Sequence, residues 1–211
     1  MTVFSTPAPA RSDVSLSTTT SGTAQRPAAR PYLVHGRVLS AGALLWAAAT
    51  AYTGVAPETS GTEVLVFGLC SGVFQVGLLF LLRVLWRTQA LGAGRLARFF
   101  LRFETGLITL AIGSTLADAL QLSDLTQPGW AMLDAFWPFS MLGMFLIGIR
   151  IAVAGRWTGA SRFWPMVAES WAVVTIPSLM LFGYDVATVV SCAHLVIGYN
   201  VLGILVSRKA R

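Results

Sequence analysis

Six long apolar runs limit what this chain can fold into. They cover about residues 38–55, 63–86, 104–122, 130–154, 164–183 and 186–206. Each holds 18–25 residues, enough for a helix to cross a hydrocarbon core of about 30 Å. Lipid offers backbone N–H and C=O groups no partner, so every run is expected to be helical. The expected fold is all-α, a polytopic transmembrane bundle of six helices. Charged residues make up only 11% of the chain, against roughly 25% in a soluble domain. No connection between runs exceeds about 17 residues, which leaves no room for a separate soluble domain.

Residues 1–34 are expected to form a disordered cytoplasmic tail, and 35–211 the transmembrane domain. The tail is rich in Ser, Thr, Ala and Pro and carries too little apolar surface to fold. No apolar core of 7–15 residues follows its basic residues, so a signal peptide is not expected.

The charges predict the orientation. With the N-terminus inside, Arg11, Arg26, Arg30 and Arg37 are cytoplasmic. So are Arg83, Arg87, Arg95, Arg98 and Arg102 in the second connection, and Arg150, Arg156 and Arg162 in the fourth. Arg208, Lys209 and Arg211 close the chain on that side. All 15 basic residues thus fall on one face, while Glu58, Glu63, Asp124 and Asp185 fall on the other. By the positive-inside rule both termini are expected in the cytoplasm. Topology explains the net charge of +6, and nucleic acid is not an expected partner.

Ionisable groups at membrane depth are the default functional candidates. Counting from the connections puts Asp118 and Asp134 level on neighbouring helices near the outer edge, where they are candidates for an acid or a proton relay. Gln75, Thr175 and His194 fall at mid-depth. Arg150, Glu169 and Asn200 fall at an inner level, with Glu104 at the lip. A buried Arg150–Glu169 ion pair closed by Asn200 is the expected arrangement. Glu104, Thr115 and Asp118 share one helix face and are candidates for a polar path. Trp130, Trp137 and Trp171 are candidates for an aromatic lining. Pro138 and Pro177 are expected to kink their helices, and Pro165 to sit at a helix start. Gly68 and Gly72 form a close-packing motif.

Several chemistries are argued against. The only lysine is Lys209, too near the C-terminus to hold retinal. The two histidines, His35 and His194, are badly placed to share a haem. No spacing of His, Cys and carboxylates suggests a metal. Cys70 and Cys192 lie inside apolar runs and are read as small core residues. Neither a nucleotide-binding loop nor a nucleophile elbow occurs. No cofactor is expected.

The phrases Phe136-Trp137-Pro138, Ile151-Ala152-Val153-Ala154-Gly155-Arg156-Trp157 and Trp164-Pro165-Met166-Val167-Ala168-Glu169-Ser170-Trp171 resemble uncharacterised six-span membrane proteins of high-GC Gram-positive bacteria. The resemblance implies a bacterial plasma membrane and no particular activity. Three functional readings follow. The first is a non-enzymatic accessory, regulatory or scaffold subunit. The second is a small transporter or substrate-binding subunit that uses the intramembrane charges. The third is a membrane-embedded lipid or isoprenoid enzyme of terpene-cyclase type, with Asp118 or Asp134 as acid and Trp130 and Trp137 facing a developing cation. Expected partners are the bilayer, another membrane protein and a small hydrophobic ligand.

Overall fold

The computed structural model describes residues 30–57 and 61–209, so the expected tail lies almost entirely outside the described residues. The described chain is all-helical. Helix α1 spans Leu33–Thr53, α2 Thr62–Arg87 and α3 Arg95–Ala119. A short α4, Pro128–Asp134, leads into α5, Phe136–Ala154. Then come α6, Ala160–Glu169, and α7, Trp171–His194. A π-helical segment, Leu195–Asn200, passes into α8, Val201–Ser207.

Five helical stretches are long and apolar enough to cross a membrane: Leu33–Thr53, Thr62–Arg87, Arg95–Ala119, Pro128–Ala154 and Ala160–Ser207. The last, at 48 residues, joins the fifth and sixth apolar runs. It is broken at Gly183, whose φ of 81° and ψ of −176° are not helical. Contacts on either side of the break pair Trp171 with Ser191, Ala168 with His194 and Trp164 with Gly198. Numbers that rise on one arm fall on the other, so the two arms lie antiparallel.

The helices form a closed ring of neighbours. α1 packs on α2, α2 on α3, α3 on α5, and α5 on α6. α6 packs on the π-helical segment and α8, and these return to α1. Lipid tails give helices no hydrophobic reason to associate, so close backbone approach has to hold such a ring. Small residues supply it. A Cβ on Gly36 of α1 would meet the Gly203 carbonyl and, at 2.8 Å, Ser207 Cβ. A Cβ on Gly203 would meet Gly36 O at 2.6 Å. Gly42 and Gly77 serve the α1–α2 seam, Gly68 the α2–α3 seam and Gly148 the α5–α6 seam in the same way. Gly72, the partner expected for Gly68, has only Leu116 Cδ2 nearby, at 3.7 Å.

Of the three prolines, Pro138 meets expectation, and Pro165 and Pro177 differ from it. Pro138 cannot bond the carbonyl four residues earlier and its ring crowds it, and the helix is interrupted at Ala135, between α4 and α5. Pro165, expected at a helix start, is buried inside α6, because that helix begins at Ala160, ahead of its apolar run. Pro177 lies inside α7, whose one non-helical residue is Gly183. The break that separates α6 from α7 is at Ser170.

Candidate functional site

The ring encloses a core centred on Trp46, which sequence reasoning passed over. Its indole packs against Phe74 at 4.9 Å between centroids, Trp171 at 5.2 Å, Trp137 at 5.8 Å and Phe67 at 6.2 Å. Phe74 in turn meets the Tyr199 ring edge-on at 4.7 Å. Trp137 and Trp171, expected as lining, are therefore packed into the interior. Trp171 Nε1 donates to Ser191 Oγ at 2.9 Å. Trp130 is half-buried on the short α4 and makes none of these contacts.

Polar groups thread this core. Gln75 Nε2 donates to Thr115 Oγ1 at 2.7 Å, tying α2 to α3. Tyr199 donates its hydroxyl to Glu169 Oε2 at 2.7 Å. His194 Nε2 lies 3.0 Å from the Ala168 carbonyl, which makes Nε2 the protonated nitrogen in that contact. Trp164 Nε1 donates to the Gly198 carbonyl at 2.9 Å. Both carbonyls belong to irregular backbone, one beside the α6–α7 break and one in the π-helical segment. A Cβ on Gly198 would come within 3.2 Å of the His194 ring and of Ala168 Cα. Six buried atoms in this core have no hydrogen-bond partner: Trp46 Nε1, Thr50 Oγ1, Gln75 Oε1, Glu104 Oε1, Glu169 Oε1 and Thr175 Oγ1. Buried polar atoms normally find partners.

The expected Arg150–Glu169 pair is not made. Glu169 is 3% exposed and bonded to Tyr199, while Arg150 is exposed at the end of α5. Counting residues gave both the same depth but could not give the face of the helix each occupies. Asn200 is half-buried and uses its backbone carbonyl, which accepts from Ser40 Oγ at 3.0 Å. Glu104, expected at the membrane lip, sits in the third turn of α3 and is 2% exposed, because α3 starts at Arg95, well before its apolar run. Its carboxyl lies within electrostatic reach of Glu169.

Glu104 also lines a groove between α3 and α5. A Cβ on Gly143 of α5 would land on the Glu104 carboxylate. At the α1–α2 and α5–α6 seams glycine meets backbone, whereas here it meets a side chain, so α3 and α5 are held apart. A groove of about 860 Å³ runs along this seam. Its walls are apolar, with Phe100 and Phe103 from α3 and Phe136, Phe139, Leu142 and Leu146 from α5. Glu104 forms part of the floor and Arg150 one end. From Phe136 to Arg150 the groove is about 21 Å long at 1.5 Å per residue. Neither Asp118, Asp134, Trp130 nor Trp137 lines it. Asp118 accepts from Ser123 Oγ and lies within electrostatic reach of Asp134 near the α3–α4 connection. Glu104, Thr115 and Asp118 thus serve three different contacts on α3 and form no continuous path.

Both cysteines are free. Among the described residues no three His, Cys, Asp or Glu side chains cluster as a metal would require. Comparison of the chain with protein-family models, with curated proteins and with solved structures gives no match.

Proposed function

We propose that this is a six-span protein of a bacterial plasma membrane that binds a long-chain amphiphile, an acyl or isoprenoid lipid, in the α3–α5 groove. It acts as a carrier or accessory subunit and catalyses no covalent step. The observation that carries the reading is the groove itself: about 860 Å³, walled by Phe and Leu, with one cation, Arg150, at its end. That volume lies within the roughly 300–1,000 Å³ of small-molecule sites. An apolar chain fits the walls, and an anionic or polar head reaches Arg150. Six crossings are supported by the antiparallel arms around Gly183. Both termini inside is supported by the single-sided distribution of the 15 cations. The acids and tryptophans on which the enzyme reading rests do not line this groove.

A second reading, a solute or proton path, draws on one observation. The orphaned atoms of Thr50, Gln75, Glu104, Glu169 and Thr175 would be hydrated in a conducting interior.

Native mass spectrometry of the protein, gently extracted from its own membrane, tests the first reading. One bound amphiphile per chain is expected. Leu142→Trp fills the groove and is expected to remove it, while Val173→Trp on exposed α7 leaves it in place. Ligand that persists in Leu142→Trp, or none in the wild type, rejects the reading.

A further inference from the structure

A second cavity, of about 830 Å³, opens at the end of the bundle where α1 begins and α2 ends. It is independent of the α3–α5 groove and shares no lining residue with it. Five of its ten lining residues are basic: His35 from α1, Arg83 and Arg87 from α2, Arg156 from the loop after α5, and Lys209 beyond α8. No lining residue is acidic. Three separate parts of the chain, the end of α2, the loop after α5 and the residues beyond α8, thus bring positive charge to one concavity, with the His35 imidazole beside them.

Topology explains the sign of these residues, and the negative ends of α2 and α5 favour cations beside them. Neither effect explains why the cations converge. Surface arginines that serve only orientation can splay apart in water, and mutual repulsion favours that. Here the backbone holds them together. Trp157 is buried at 2% exposure, and its Nε1 donates to Thr88 Oγ1 at 3.0 Å. Arg156 Nη1 donates to Gln89 Oε1 at 3.0 Å. Gln89 has a left-handed φ of 49° in the turn that ends α2, where Ala90 N donates to the Leu85 carbonyl. The Trp157 and Arg156 bonds staple the loop after α5 to the end of α2. Lys209 is laid over the Trp157 ring at 4.3 Å, with its ammonium held below the ordinary lysine range by burial. His35 packs edge-on to Tyr32 and Phe80, and its Nδ1 is buried without a partner.

We propose that this pocket is a binding site for a phosphate-bearing anion. Arg83, Arg87 and Arg156 offer planar forks that match phosphate oxygens, and Lys209 adds a point charge. The anion offsets the repulsion among the gathered cations. The same chemistry has two sources, the headgroup of an anionic phospholipid in the adjacent leaflet and a free phosphate compound in solution.

The test uses the full-length chain in neutral phosphatidylcholine nanodiscs. One arm adds phosphatidylglycerol to the discs and counts bound lipids by native mass spectrometry. The other titrates inorganic pyrophosphate and follows binding by calorimetry. Saturable binding of one anion per chain is expected in one arm, and that arm identifies the source. Arg83→Gln with Arg87→Gln is expected to weaken it at least tenfold. Arg95→Gln with Arg98→Gln removes equal charge from the neighbouring start of α3 and is expected to change it less than twofold. Arg83 and Arg87 are exposed, so the variants fold, as circular dichroism will show. Equal losses in both double variants, or no saturable binding in either arm, would mean a diffuse basic surface and overturn the proposal.

Discussion

Tyr199 donates its hydroxyl to Glu169 Oε2 across 2.7 Å, and both side chains are buried in the ring interior. The bond joins the π-helical segment to the end of α6. Removing one partner of such a pair leaves a buried acceptor unsatisfied, which costs about 1–3 kcal/mol. Tyr199→Phe is expected to destabilise the protein by that amount in thermal unfolding in detergent micelles. The double change Tyr199→Phe with Glu169→Leu removes both polar groups and is expected to recover part of the loss. Losses that simply add in the double variant would show that the two groups do not act as a pair.

The contact of Gly36 with Gly203 closes the ring between α1 and α8. A methyl on Gly36 meets the Gly203 carbonyl and Ser207 N, and one on Gly203 meets the Ser40 hydroxyl and, beside it, the Gly36 carbonyl and Ser40 N, which are backbone and cannot turn away. Gly203→Ala is expected to cost about 1–3 kcal/mol through overpacking. Gly106 on α3 has nothing within 4 Å of its would-be Cβ. Gly106→Ala is expected to be neutral or to stabilise by up to about 1 kcal/mol. Unfolding curves of the two variants make the comparison, and equal effects would contradict the closed ring.

Gly143 separates α3 from α5 by admitting the Glu104 carboxylate. In Gly143→Ala the new methyl displaces that carboxylate, which can swing because it ends a flexible chain. Groove occupancy is therefore expected to fall more than stability does. Counting bound ligand and measuring unfolding on the same preparation separates the two, and a stability loss with full occupancy would point to a purely structural Glu104.

Asp124 orders the connection before α4. It accepts from the Thr126 amide at 3.1 Å, from Thr126 Oγ1 at 2.6 Å and from Gln127 Nε2 at 3.1 Å. These hydrogen bonds hold its carboxyl below the ordinary value of 3.8. A depressed carboxylate contributes its stability in full above that ordinary value and loses it as pH falls through the lowered one. Amide exchange at Thr126 is expected to be slow near neutrality and to speed up, beyond the intrinsic trend, only below about pH 4. Asp124→Ala is expected to show the faster, acid-like protection at every pH.

The proposed six-crossing arrangement makes its own prediction. With Cys70 and Cys192 replaced by Ala, a Tyr184→Cys label site beside the Gly183 break is expected to react with a membrane-impermeant maleimide from outside intact cells. Gln89→Cys is expected to react only after the cells are opened. The reverse pattern would invert the orientation, and reaction of both from one side would remove one crossing.

Much of the architecture is legible in sequence because lipid imposes it locally. A run of about 20 apolar residues has to be a helix whatever its neighbours do, and all five span-length stretches arise from such runs. Gln75 and Glu169, expected at depth from their place inside apolar runs, are buried. What each charge touches was not legible. Arg150 and Glu169 share a depth, but helix rotation sends one to the surface and the other to Tyr199, and rotation is set by packing against neighbouring helices. Trp46 carries no periodic or motif signal, and only the closing of the ring makes it the centre of the core. The helix starts at Arg95 and Ala160 lie in polar sequence, where hydropathy is silent. The α3–α5 groove and the basic pocket depend on contacts between residues some 40 to 175 positions apart. Hydrophobic transfer sorts residues by depth one helix at a time, whereas a cavity exists only between helices, where backbone approach and side-chain volume decide what space is left.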